Sequence, residues 1–307
     1  MPANPPAPVR NILAATDLSA AAEAGLAWAR ELARWHGATL HLVHAVPPLP
    51  AILGDEVAAA DSEQRLREDA QEVLDGLAAG WRAHGLAVEA RTRLGVPWAV
   101  LVAAAEEVAA DLLVLATRGH TGLRFLLLGS TSRRVVQRAP CPVLTVHPGE
   151  RTPTRRPHTI VLPTDFHLDA VAAAEAAVRL LGADREASRF LLHHAWELPP
   201  EYSVYSARWP ATRRGPEDTV ERLRAKLEEV ATALRTRGFE VEATVVEGSP
   251  VGTIVDLASR LHADAIVMGT HGARGLEHLT VGSVAERTVQ LAPCPVLTLK
   301  PEAAPAS

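Results

Sequence analysis

The chain has 307 residues, 48% hydrophobic and 22% charged, with a net charge of −5. At about 150 residues per domain this suggests two α/β domains, each large enough to bury a core without disulfide or metal staples. The globular composition excludes whole-chain disorder, collagen and coiled coil, and the lack of a basic block argues against a nucleic-acid partner.

Of the 31 basic residues only Lys226 and Lys300 are lysines, a bias that reads as genome composition before function. Cys141 and Cys294 are too few for a disulfide framework and suit a reducing compartment. The N-terminal stretch MPANPPAPVR has no apolar signal core. No apolar run approaches the roughly 18 residues that span a bilayer. The expectation is a soluble cytoplasmic protein with no membrane partner.

In chain order, a short apolar strand is predicted over 9–15 and a helix over 19–36, with Gly37 just past its end. A strand over 39–46 follows, then a helix near 61–84, a strand over 86–93 and a helix near 97–110. Strand 111–116, helix 130–138 and strand 142–146 complete the first half. The second half repeats the alternation, with strands near 159–163, 189–196, 239–246, 264–268 and 295–299 and a solvated amphipathic helix over 217–237. Pro97 and Pro250 suit the first turn of a helix, where the missing N–H costs nothing. Two dissimilar loops, 47–60 and 198–216, follow the second strand of each half.

The alternation reflects an internal repeat. RAPCPVLTVHP at 138–148 returns as LAPCPVLTLKP at 291–301. The pairs Gly119/Gly272, Gly129/Gly282 and Cys141/Cys294 share an offset of 153, while Asp17 and Asp165 differ by 148. The expected organisation is one domain over 1–148, a hydrophilic linker over 149–158 and a second domain over 159–307. Each is an α/β domain with a five-stranded parallel, doubly wound, Rossmann-like sheet.

With strand order 3-2-1-4-5, strand order reverses between strands one and four, and ligands bind beyond the strand ends at such a point. Ala15-Thr16-Asp17 and Pro163-Thr164-Asp165 end the two first strands. After strand four of the second half come Gly269, Gly272 and, after nine intervening residues, Gly282-Ser283. A glycine at the strand end lets a sugar lie on bare backbone, and a helix opened by Gly-Ser offers free N–H groups and a dipole to phosphate. A carboxylate on the adjacent strand end can accept from ribose hydroxyls.

On these residues each half resembles a universal stress protein domain, and the whole chain resembles the tandem type. The resemblance implies an adenine nucleotide alpha hydrolase-like fold with ATP as the usual ligand; separately, Mg²⁺ could arrive with the triphosphate. In the second half the resemblance places Asp165 by the ribose and Ala195 by the adenine, with Pro163 and Thr164 also among the nucleotide-binding residues. Met268 and Gly269 flank adenine and ribose, and Gly272, Gly282, Ser283 and Val284 hold phosphates. The first-half counterparts are Ala15, Thr16, Asp17, Ala45, Ala116, Gly119, Gly129, Ser130 and Thr131. Here Ala116 replaces the first glycine, so a methyl group stands where backbone should meet sugar, and Arg118 replaces His271. The resemblance also implies that the fifth strands pair antiparallel, so that the two halves form an intramolecular pseudo-dimer; a homodimer of chains is left open.

Plainer readings stand beside these. Asp17 and Asp165 fit helix N-caps as well as ribose ligands, and the glycines fit loop punctuation. The cysteines read as small buried hydrophobes. His193-His194 looks like a metal pair, but neighbours on a strand face opposite ways, and no structural metal is expected. Walker, Rossmann G-x-G-x-x-G and G-x-S-x-G motifs are absent, so no catalytic residue is assigned. The expected function is an ATP-binding regulatory module with at most slow hydrolysis. The alternatives are an adenine-nucleotide ATPase or nucleotidyl transferase, and an interaction module without nucleotide.

Overall fold

The structure is a computed structural model, and it describes residues 7–49, 56–117, 128–166, 169–197, 216–270 and 282–300. In the first half, β1 (Asn11–Thr16) leads through a 3-10 turn (Ala20–Ala22) into α1 (Glu23–His36). Then come β2 (Thr39–Val46), α2 (Glu56–Ala83), β3 (Val88–Leu94), α3 (Pro97–Glu107), β4 (Leu112–Ala116), α4 (Ser130–Arg138) and β5 (Val143–Val146). The second half runs β6 (Thr159–Pro163), α5 (Ala170–Leu181), β7 (Arg189–Trp196), α6 (Pro216–Arg235), β8 (Glu240–Glu247), α7 (Pro250–Arg260), β9 (Ala265–Gly269), α8 (Ser283–Leu291) and β10 (Val296–Leu299).

The ten strands among the described residues form one sheet in the order β3-β2-β1-β4-β5-β10-β9-β6-β7-β8. Each half has the expected order, so β1 and β4, and likewise β6 and β9, flank a reversal point. Pairing within each half is parallel. The two halves join where β5 and β10 pair antiparallel, with Leu144 opposite Leu297. Neither fifth strand is left as a bare edge, which removes the hazard of unpaired N–H and C=O groups.

Strand residues alternate between two cores. In β4, Leu112 and Val114 pack with α1 residues such as Ala29 and Leu32, whereas Leu113 and Leu115 pack with α3 and α4. Burial of this kind on both faces is why these strands read as continuous apolar runs. The starts of β1 and β6, away from the candidate site, are held by duplicated carboxylates. Asp111 accepts from the amides of Arg10 and Asn11, and Asp264 from those of His158 and Thr159.

Several boundaries depart from the sequence expectation. The helix expected from residue 19 opens as the 3-10 turn. Residues 56–60, expected in a loop, belong to α2, whose alanine-rich start has high helix propensity. Helix α3 stops at Glu107 because Ala109 adopts a left-handed conformation, φ 47°, letting Ala110 N–H reach back to Ala105 O. Of the loop expected at 198–216, all but Pro216 lies outside the described residues.

Candidate functional site

The first site starts where β1 ends. Thr16 Oγ1 accepts from the Leu18 amide at 3.0 Å, and this turn holds Leu18 at φ 62°. The second half repeats it: Thr164 Oγ1 accepts from Phe166 N at 3.0 Å, with Phe166 at φ 67°. A left-handed non-glycine residue costs roughly 1–2 kcal/mol, and such strain concentrates at functional sites. The strand ends are braced from β2 and β7. His44 Nδ1 lies 2.9 Å from Thr16 O, and His194 Nδ1 lies 2.8 Å from Thr164 O.

The carboxylates sort differently from the N-cap reading. Asp17 Oδ1 accepts from the amide and hydroxyl of Ser19, at 3.1 and 2.6 Å. In the second half Asp169, not Asp165, caps α5, accepting from Val171 N at 2.8 Å.

Opposite these residues stands the end of β4. Thr117 N–H donates to Val146 O, and Gly129 N–H donates back to Thr117 O at 3.0 Å, tying the start of α4 to the end of β4. A Cβ on Gly129 would lie 3.3 Å from Thr117 O, tighter than most such contacts, which accounts for glycine there. Helix α4 follows, and its first helical hydrogen bond runs from Arg133 N to Gly129 O. The amides of Ser130, Thr131 and Ser132 therefore have no acceptor within the helix. The second half matches, with Gly282 N–H donating to Thr270 O at 2.7 Å and Glu286 N–H to Gly282 O. Gly119, Gly272, Arg118 and His271 lie outside the described residues.

In the first half these parts enclose a cavity of about 690 Å³. Ala15, Thr16, Asp17 and Ala45 line one side; Ala116, Gly129, Ser130 and Thr131 line the other. Every sequence-predicted residue of the first site that is described thus meets in one space of ligand size. A third wall comes from α2, through Leu66, Asp69, Ala70 and Val73.

In the second half, Pro163 ends β6, Ala195 follows His194 on β7, and Gly269 ends β9. Because β6 lies between β7 and β9, these residues share one end of the sheet with Gly282 and Ser283. Met268 is buried in the core beneath α7 and α8, and Val284 packs against the same cluster. The His193-His194 pair divides as strand geometry requires. His193 is buried between Thr244 Oγ1 (3.1 Å) and Thr253 Oγ1 (3.0 Å), and burial pushes its pKa down to about 4. Both cysteines are buried and free, and burial pushes the Cys141 thiol up to about 12. They behave as small hydrophobes.

A profile of the universal stress protein family matches residues 8–147 and again 157–300. The chain belongs to the universal stress protein family. It is 29% identical over 307 residues to a universal stress protein of Mycolicibacterium smegmatis, covering 94% of this chain and 97% of that one. A Thermus aquaticus universal stress protein is 38% identical over 143 residues, which are 45% of this chain and 98% of that relative. In fold, the chain is similar to a universal stress protein from Archaeoglobus fulgidus, with a TM-score of 0.68, 21% identity and coverage of 94% and 96%.

In this universal stress protein the sequence reading missed three features of the site. His44 and His194 brace the strand ends, and Leu18 and Phe166 take left-handed conformations. The third is the helical wall, which differs between halves. Gly85 and Gly238 follow α2 and α6 with the same φ of 86° and an offset of 153, which aligns Val73 with Lys226. Lys226 Nζ stands 4.3 Å from the centroid of the Phe166 ring, which in turn lies 4.5 Å from the His194 ring. The first-half counterparts Val73, Leu18 and His44 all line the cavity. The repeat itself carried the signal for both histidines, since each precedes the paired alanines Ala45 and Ala195.

Proposed function

We propose that this chain is an ATP-binding regulatory module, with one adenine-nucleotide site in each half and at most slow hydrolysis. The observation that carries the reading is the first-half cavity of about 690 Å³, whose lining includes eight of the residues the sequence resemblance pointed to. The fit is chemical as well as steric. The apolar walls of Ala15, Ala45 and Val73 suit a base, and the Asp17 carboxylate can accept from ribose hydroxyls. The open amides of Ser130, Thr131 and Ser132 at the positive end of α4 suit phosphate oxygens.

In the second half Asp165, Ala195, Gly269, Gly272, Gly282 and Ser283 take the same roles. Mg²⁺ would be held by the triphosphate. The two halves act as a pseudo-dimer, since α4 and α8 flank the seam and Arg133 reaches Glu286 at 3.5 Å. No general base is assigned for attack on a γ-phosphate, so nucleotide state, not turnover, is the output.

The test is mass spectrometry of small molecules released from purified, denatured protein, followed by titration of the full chain with ATP. Retained ATP and two binding events per chain are expected. A protein that carries no nucleotide and fails to bind millimolar ATP overturns the reading, while sustained multiple turnover favours the enzyme alternative.

A further inference from the structure

The Ala116 methyl is the first half's departure from the glycine found at position 269, and it sits where α1 comes close to the main chain of β4. Ala116 shares strand parity with Leu112 and Val114, whose side chains pack against α1. Gly25 of α1 packs against the end of β4. A Cβ there would lie 3.1 Å from Ala116 N and 3.3 Å from Leu115 C, both main-chain atoms that cannot swing aside. In the second half the offset of 148 that aligns Thr16 with Thr164 carries Gly25 onto Ala173, which is buried in α5 and belongs to the core that also holds Ala265 and Val267 of β9. The burial of Ala22, Leu26, Ala29 and Leu32 is matched by Ala170, Ala174, Ala177 and Leu180 at the same offset. One half therefore carries the pair Gly25/Ala116 and the other the pair Ala173/Gly269, a reciprocal exchange that leaves one methyl group in each pair.

We infer that Gly25 is a positioning residue for the first site: it lets α1 and the end of β4 approach closely, so that alanine at 116 leaves the nucleotide cavity open. The inference rests on the nucleotide-binding reading of the first half. A methyl added at 25 pushes the strand end away from α1, and with it the Ala116 carbonyl that receives the Ser132 hydroxyl at 2.9 Å. That contact links the floor of the cavity to the first turn of α4, so the displacement reaches the phosphate end. Packed interiors transmit such shifts because they have little free volume.

The experiment uses the full chain carrying Gly282→Glu, which silences the second site and leaves the first to be titrated with ATP. Gly25→Ala is expected to weaken first-site affinity about tenfold. Gly25→Ala with Ala116→Gly recreates the second-half pair and is expected to restore affinity to within about twofold of the background. Thermal unfolding is followed for each variant, because a merely structural role predicts that affinity tracks stability. In the chain without Gly282→Glu, Gly25→Ala should leave second-site affinity unchanged. If the background binds no ATP, the functional reading of the first half fails and takes this inference with it. If the background binds ATP but Gly25→Ala changes nothing, or the double variant gives no rescue, the inference alone is overturned.

Discussion

The Nδ1 of His194 lies 2.8 Å from the carbonyl oxygen of Thr164, bridging the ends of two neighbouring strands, and His44 does the same for Thr16. A carbonyl only accepts, so the proton sits on Nδ1. The ring fixes the peptide between Thr164 and Asp165, just past the end of β6. Replacing His194 by Ala should cost about 1 kcal/mol of stability and weaken second-site ATP affinity by about tenfold through loss of positioning. Calorimetric titration beside urea denaturation measures both. Intact affinity in His194→Ala would show that the strand end is held without the ring.

The charge difference between the helical walls gives a second prediction. Lys226 is exposed on α6 over the Phe166 ring, where the first half has Val73. Changing Lys226 to Val should lower second-site affinity for ATP about threefold, the scale of one solvent-exposed charge contact. The salt dependence of binding should flatten as well, because exposed electrostatics are screened. Titrations at two ionic strengths check this; an unchanged salt slope removes Lys226 from ligand attraction.

Much of the fold was legible in the sequence because the chain is duplicated. Two copies of Ala-Pro-Cys-Pro-Val and two Thr-Asp pairs define equivalent strand ends, and hydrophobic period does the rest. What stayed hidden were contacts between residues about 30 positions apart, such as His44 with Thr16, since periodicity assigns a face but not a partner. Leu18 and Phe166 gave no warning of positive φ, because leucine and phenylalanine disfavour it. The Gly25/Ala116 exchange was invisible for a related reason. Each half deviates by one small residue, and only the packing of α1 on β4 shows that the two deviations belong together.

His193 gives a pH prediction with a definite sign. Burial lowers its folded pKa to about 4 from 6.5, so between those values the unfolded chain binds the extra proton. Its contribution is fully present above pH 6.5 and is lost as pH falls toward 4, by about 3 kcal/mol in all. The first half has Val43 at this position. His193→Val should therefore flatten the acid limb of stability measured by urea denaturation between pH 7 and 4. An acid limb of unchanged slope would falsify the assignment.

Glu150 acts in the opposite direction. Burial raises its carboxyl to about 7, against the lowering effect of the His147 amide that donates to it at 2.9 Å. The folded state thus holds a proton that the unfolded chain releases, and stability from this group is present below pH 4.5 and lost as pH rises through 7. Glu150→Gln should remove this loss and stabilise the protein at pH 8 relative to wild type. Equal denaturation midpoints at pH 8 would contradict it.

The seam between the halves supplies the last prediction. Beside the ladder of β5 and β10, Thr145 Oγ1 donates to Val296 O and Thr298 Oγ1 donates to Val143 O, each at 3.1 Å and each buried. These reciprocal bonds tie side chain to main chain across the junction. Thr→Val conserves volume but deletes the hydroxyl, so Thr145→Val with Thr298→Val should cost about 1 kcal/mol per bond, with some non-additivity because the sites are neighbours. Leu144→Asp is a harsher test, since it buries an unpaired charge against Leu297 at a cost of roughly several kcal/mol. If the seam couples the halves, this variant should unfold in two transitions in urea where wild type unfolds in one, and the 149–158 segment should become the first site of proteolytic cleavage. A single transition with unaltered cleavage would mean that the halves are held together by contacts other than the paired fifth strands.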